Sequence, residues 1–134
     1  MNKKHVFGAL LMALLLSLAL VACGGGGETS AVGDVKAGEE LFNQLTVDVQ
    51  PGCVTCHSLT PDTVVVGPSL AGVATRAETR IDGTSAEDYI RQSILEPNAY
   101  IVEGFQPDVM VQVWAETLTP EQVDNVTAYL LTLK

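Results

Sequence analysis

The stretch Pro51-Gly52-Cys53-Val54-Thr55-Cys56-His57-Ser58 holds two thiols three positions apart, with an imidazole directly after the second. Sulfur and nitrogen ligands at that spacing suit three chemistries. They could chelate zinc, exchange disulfides, or attach a haem covalently. What the rest of the chain offers decides between them.

The inventory of ligands depends on which residues belong to the fold. Lys3 and Lys4 form a short positive region, and Val6 to Ala22 is almost unbroken apolar sequence, the pattern of an export signal over residues 1–22. Leu20-Val21-Ala22-Cys23 resembles a bacterial lipobox, which implies cleavage before Cys23 and lipidation of its thiol. A retained membrane anchor is the competing reading, since an apolar run of this length reaches the lower limit for a span. Gly24 to Gly27 and the polar residues after them favour the lipoprotein, because such a run ends a helix and starts a tether. Residues 23–33 are therefore expected to be a lipidated flexible tether with a reach of about 17 Å. Two or more acyl chains on Cys23 meet the need for stable anchoring, on the outer face of the bacterial cell membrane.

Residues 23–134 then form one folded domain, over 34–134, with five cations (Lys36, Arg76, Arg80, Arg91 and Lys134) against 16 carboxylates, a formal charge of −11. That excludes nucleic acid as a partner and disfavours anionic lipid. It favours a redox protein with a basic docking face, though acidity that merely keeps an exported protein soluble accounts for it equally well.

Beyond the signal, Cys53 and Cys56 are the only thiols left once Cys23 carries lipid, His57 is the only histidine and Met110 the only methionine. Structural zinc needs four ligands, usually from two pairs, and only one pair and its adjacent histidine are present. A thioredoxin-like exchanger needs alternating strands and helices around the motif, and the flanks have none. A disulfide spanning two residues closes almost no loop and contributes little. Covalent haem c attachment needs nothing beyond what is there: two thioethers from Cys53 and Cys56, and His57 as an iron ligand. With six aromatics in this short domain, a large apolar cofactor is expected to complete the core.

These residues must be held by helices. Thr119-Pro120-Glu121-Gln122 is a capping box with Pro at the first helical position, followed by apolar residues at Val123, Val126, Tyr129/Leu130 and Leu133. A first helix is expected over Asp34–Leu45, with Asp34 as cap and Ala37, Leu41, Phe42 and Leu45 on one face. Gly38 within it costs about 1 kcal/mol relative to Ala, which a close helix crossing would offset. A further helix is expected from Thr84/Ser85 to Leu95, stopped by Pro97, and a short turn over Ser69–Thr75. Val64–Val66 is too short to build a sheet. The stretch from Pro97 to Thr119 has no regular period, and loops that long are uncommon unless functional. Met110 lies near its middle, where a wrapped loop would deliver a thioether to the iron. Lys36, Lys134, a tyrosine, water or an empty position remain the other options for that ligand.

Taken together, residues 34–134 resemble the small class I c-type cytochromes. The resemblance rests on C-x-x-C-H after a first helix, Gly67-Pro68-Ser69-Leu70 downstream, a loop bearing methionine, and a capped last helix with an aromatic. Ser93-Ile94-Leu95-Glu96-Pro97-Asn98-Ala99-Tyr100 with Gly104-Phe105 and Met110 is similar to the cytochrome domains of bacterial respiratory complexes, such as cytochrome oxidase subunit II and its stand-alone relatives. The implied fold is all-α, three to five helices wrapped around one covalent haem. The resemblance implies that Gly38 and Phe42 cross the last helix at Tyr129. It also implies that the Pro68 carbonyl accepts a hydrogen bond from His57. Val111 stands where the family usually has proline after the axial methionine.

His57 and Met110 on the iron imply a six-coordinate site and one-electron transfer, by a tethered carrier or a subunit of a respiratory or photosynthetic complex, alternative complex III among them. A haem sensor or peroxidase-like enzyme with an opened iron is the alternative. Arg76, Arg91, Asn98, Tyr100 and Trp114 are open both as partners of the haem propionates and as surface or packing residues.

Overall fold

The computed structural model describes residues 32–134. The expected export signal, Cys23 and the tether up to residue 31 lie outside the described residues. Gly33, the last residue assigned to the tether, is already packed on the final helix: a Cβ there would come within 2.6 Å of the Asp124 carbonyl carbon.

Among the described residues there are six helices: α1 (Val35–Phe42), α2 (Cys53–Cys56), α3 (Val73–Ala77), α4 (Ala86–Leu95), α5 (Trp114–Thr117) and α6 (Pro120–Leu130). A short hairpin pairs β1 (Thr46–Val47) with β2 (Gln50–Pro51) in antiparallel register, Thr46 opposite Pro51 and Val47 opposite Gln50. The expectation of three to five helices undercounts. The two unforeseen ones, α2 and α5, are four-residue turns, too short to carry a hydrophobic period.

Local chemistry sets the ends of the longer helices. The Asp34 carboxylate accepts from the Lys36 and Ala37 N–H groups at 2.9 and 3.1 Å, satisfying donors that have no partner within α1. Ser85 accepts from the Asp88 N–H at 3.1 Å to open α4, which runs to Leu95 as expected. Both halves of the Thr119/Gln122 capping box form: Gln122 N–H to Thr119 Oγ1 at 3.2 Å, and Thr119 N–H to Gln122 Oε1 at 2.9 Å.

Two boundaries differ from the sequence reading. α1 stops at Phe42 rather than Leu45, because the chain turns into the hairpin and the Leu45 carbonyl accepts from the Gly52 N–H at 2.9 Å. Leu45 is 72 % exposed, so its match to the apolar face is coincidental. The turn expected over Ser69–Thr75 forms later, as α3, after Gly72 reverses the chain with φ of 66°.

α1 lies across α6 in the most extensive contact between elements. A Cβ on Gly38 would come within 2.5 Å of the Asn125 carbonyl carbon and 2.9 Å of the Tyr129 Cβ, so only glycine permits this approach. The fully buried Phe42 ring then sits 5.5 Å from that of Tyr129, tilted by 53°, an arrangement favoured by ring quadrupoles. The Asp34 N–H donates to Asn125 Oδ1 at 2.7 Å, so the cap of α1 is also bonded to α6. α4 packs on α6 as well, and Arg91 pairs with Asp124 between them. That pair is about one-third exposed and adds little, since solvent screens it. Residues from all six helices line one cleft.

Candidate haem site

The reactive stretch is shaped by its own short bonds. Gly52 opens α2 in an extended conformation and abuts the Gln44 carbonyl so closely that a side chain there would collide. Thr55 Oγ1 donates to the Gly52 carbonyl at 2.6 Å, and the His57 N–H donates to the Cys53 carbonyl at 3.0 Å. Cys53 and Cys56, three apart on one turn, are neighbours on the helix surface, and both are free thiols. His57 leaves the helix in an extended conformation and bridges to Val64.

A second segment then covers the imidazole. The Cys56 carbonyl accepts from the N–H groups of Val66 and Gly67, at 3.1 and 2.9 Å. This draws Gly67 against the His57 ring, where a Cβ would stand 2.5 Å from Cε1 and 2.9 Å from Nδ1. The Pro68 carbonyl lies 2.8 Å from Nδ1. A carbonyl can only accept, so Nδ1 carries the hydrogen and Nε2 keeps its lone pair. Burial holds the His57 pKa below the usual histidine range, against the raising effect of Pro68, so the ring is neutral near pH 7.

Cys53, Cys56, His57, Pro68 and Met110 all line one cleft. The space between its walls, open solvent at the mouth included, is about 1330 Å³. Every helix contributes apolar wall, among them Phe42, Val73, Ile90, Trp114 and Leu130. Met110, half-buried, comes from the long segment between α4 and α5. Among the described residues, Arg76 and Arg80 are the only Lys, Arg, Asp or Glu side chains lining the cleft.

Burial raises the Cys53 pKa above that of an ordinary thiol, an effect larger than the lowering by its own backbone hydrogen bond, and Cys56 adds to the rise. A disulfide-exchange nucleophile is tuned the other way. Among the described residues no group of three or more His, Cys, Asp and Glu side chains gathers as a metal site. The donor set fits a covalent haem instead: two thiols, a neutral oriented imidazole, a thioether and an apolar cleft.

Of the residues left open as propionate partners, Arg76, Tyr100 and Trp114 line the cleft, and Arg91 and Asn98 do not. Arg91 is taken by Asp124 and Glu87, and Asn98 by Asp108. The sequence reading missed Arg80 at the cleft wall and the role of Gly67 beside the ring. An arginine next to a short helix carries no signal of which way it faces, but Gly67 directly before Pro68 is one that close packing explains.

A mostly helical domain of this size, with paired thiols, imidazole and thioether lining one apolar cleft, has the donor set of the proteins that bind one haem covalently. A family model described as cytochrome c matches residues 35–134, and the chain belongs to the cytochrome c family. Its members carry electrons on a haem c bound through the C-x-x-C-H motif, typically one per domain, and Cys53 and Cys56 provide that motif here. No curated protein sequence matches the chain.

Proposed function

We propose that the protein is a membrane-tethered monohaem electron carrier, or an electron-carrying subunit of a respiratory or photosynthetic complex, with His57 and Met110 as the axial ligands. One observation carries this reading: the only histidine and the only methionine beyond the signal line the same cleft as the two thiols. When bound, the haem iron supplies a one-electron couple, and a methionine sulfur raises its potential. The chain's part is to hold both ligands still. Pro68 orients the His57 ring and keeps its hydrogen on Nδ1, as the partners of ligating histidines commonly do. The apolar wall excludes water and lowers the local dielectric, which also tunes the potential. Neither a carboxylate nor a second histidine lines the cleft among the described residues, which favours the carrier over a peroxidase-like reading.

Tethering rests on the sequence of residues 1–33 alone: an export signal, lipid on Cys23, and a glycine-rich link on the outer face of the cell membrane. The acidic surface suits a redox partner with a basic docking face.

Carbon monoxide added to the reduced protein tests the ligation. A spectrum that stays unchanged supports filled axial positions; rapid tight binding overturns them. Detergent extraction followed by native purification separates the two roles, because a subunit migrates with other haem proteins and a carrier migrates alone. Cys23→Ser moves the haem protein from the membrane to the soluble fraction if lipid is the anchor.

A further inference from the structure

The segment that carries Met110 lacks the support a functional ligand needs from its own backbone. Among the described residues, no backbone–backbone hydrogen bond involves any residue from 106 to 112. Side chains hold the segment instead, and they converge on Asn98. Asn98 Nδ2 donates to the Asp108 carboxylate at 2.6 Å, and Asn98 Oδ1 accepts from the Asp108 N–H at 3.0 Å. Gln112 Nε2 donates to the carbonyl of Met110 itself at 2.7 Å and reaches Asn98 Oδ1 at 3.5 Å.

We infer that Asn98, Asp108 and Gln112 form an external clasp that positions Met110 as an iron ligand. The inference rests on Met110 being that ligand, as proposed above. Asn98 follows the buried Pro97 at the end of α4, so this jaw is fixed to the body of the domain. Asp108 lies two residues before Met110 and Gln112 two after it, so the clasp grips both flanks of the ligand. Asp108 has φ of 63°, a left-handed conformation that aspartate and asparagine tolerate better than most residues. The bend there aims the Asp108 N–H and carboxylate at the same side chain. All three clasp residues are exposed, while Met110 is half-buried and faces the cleft. The clasp therefore touches no cofactor; it acts through the loop.

This assigns Asn98 a role other than binding a propionate, and it makes the clasp a control on how readily Met110 leaves the iron. Loosening it leaves the covalent thioethers and His57 in place.

The test uses the full-length haem-loaded protein and four variants: Asn98→Ala, Asp108→Gly, Asp108→Asn and Gln112→Ala. Asp108→Gly keeps the left-handed backbone and removes the carboxylate, whereas Asp108→Asn keeps both the conformation and an acceptor oxygen. Two readouts report the iron–sulfur bond: the sulfur-to-iron charge-transfer band of the ferric protein and the rate at which cyanide displaces the ligand. Asn98→Ala and Asp108→Gly should each speed displacement roughly tenfold, the scale of one charge-assisted hydrogen bond. Gln112→Ala should show a smaller rise, and Asp108→Asn should stay near wild type. Wild-type rates in both Asn98→Ala and Asp108→Gly, with the band intact, overturn the clasp and leave Met110 as ligand. A wild-type protein without the band, binding cyanide at once, overturns the ligand assignment and the clasp with it. Equal acceleration in Asp108→Asn and Asp108→Gly overturns the hydrogen-bond account.

Discussion

The His57 imidazole lies between two consecutive residues of one segment: the Pro68 carbonyl, 2.8 Å from Nδ1, and Gly67, whose missing side chain leaves room for the ring. One contact sets the tautomer and the other sets the ring's position. Both depend on Val66 and Gly67 donating to the Cys56 carbonyl, so the attachment motif builds its own cover.

Gly67→Ala tests that arrangement. Its Cβ would come within 2.5 Å of Cε1, and a rigid ring flanked by backbone has little freedom to yield. Overpacking of this kind destabilises by about 1–3 kcal/mol. The displaced ring should also weaken the Pro68 bond, visible as a changed ferric electron paramagnetic resonance spectrum. An unchanged spectrum and melting temperature would mean that the ring is not confined as described.

Met110→Ala should open the iron. The reduced variant is expected to bind carbon monoxide at once. Its potential should fall by a sizeable part of the ~0.8 V range that axial ligands control. A variant with wild-type potential and no carbon monoxide binding refutes Met110 as the ligand.

Gly38→Ala would normally favour a helix by about 1 kcal/mol. Here the added carbon meets the Asn125 backbone and Tyr129, and α1 and α6 must separate. The net effect should be destabilisation of about 1–3 kcal/mol. For a domain of this size each kcal/mol lowers the melting temperature by about 4–8 °C. A variant as stable as wild type would show that the crossing has slack.

Tyr129 provides a pH signature. Burial, and then the Glu39 charge, push its phenol above the ordinary value of 10.0. As pH rises past that value the unfolded chain releases the proton first, so the associated stability is present at neutral pH and lost above about 10. Guanidinium unfolding between pH 7 and 11 should show wild-type stability falling more steeply than that of Tyr129→Phe. Parallel curves would rule out Tyr129 as a source of the alkaline loss.

What was legible in the sequence is what depends on neighbours along the chain. The C-x-x-C-H motif is contiguous, and its likeness to a family extends over the residues that the family model matches. The caps at Asp34, Ser85 and Thr119 bond to groups two or three residues away, so their sequences suffice to mark where helices begin. Scarcity singled out Met110, because the sequence after residue 22 holds one methionine and so offers no other thioether. Tertiary structure decided the rest, because each outcome depends on partners distant in sequence. Leu45 fits the helical period but leaves it once Gly52 bonds its carbonyl. Arg80 reaches the cleft wall while Arg91, no different in type, is drawn to Asp124 on another helix. Asn98 and Asp108 become partners only when a loop with no backbone ladder folds back on the end of α4. The sequence names the atoms that can hold a haem, and the packing of α1, α4 and α6 brings them around one cleft.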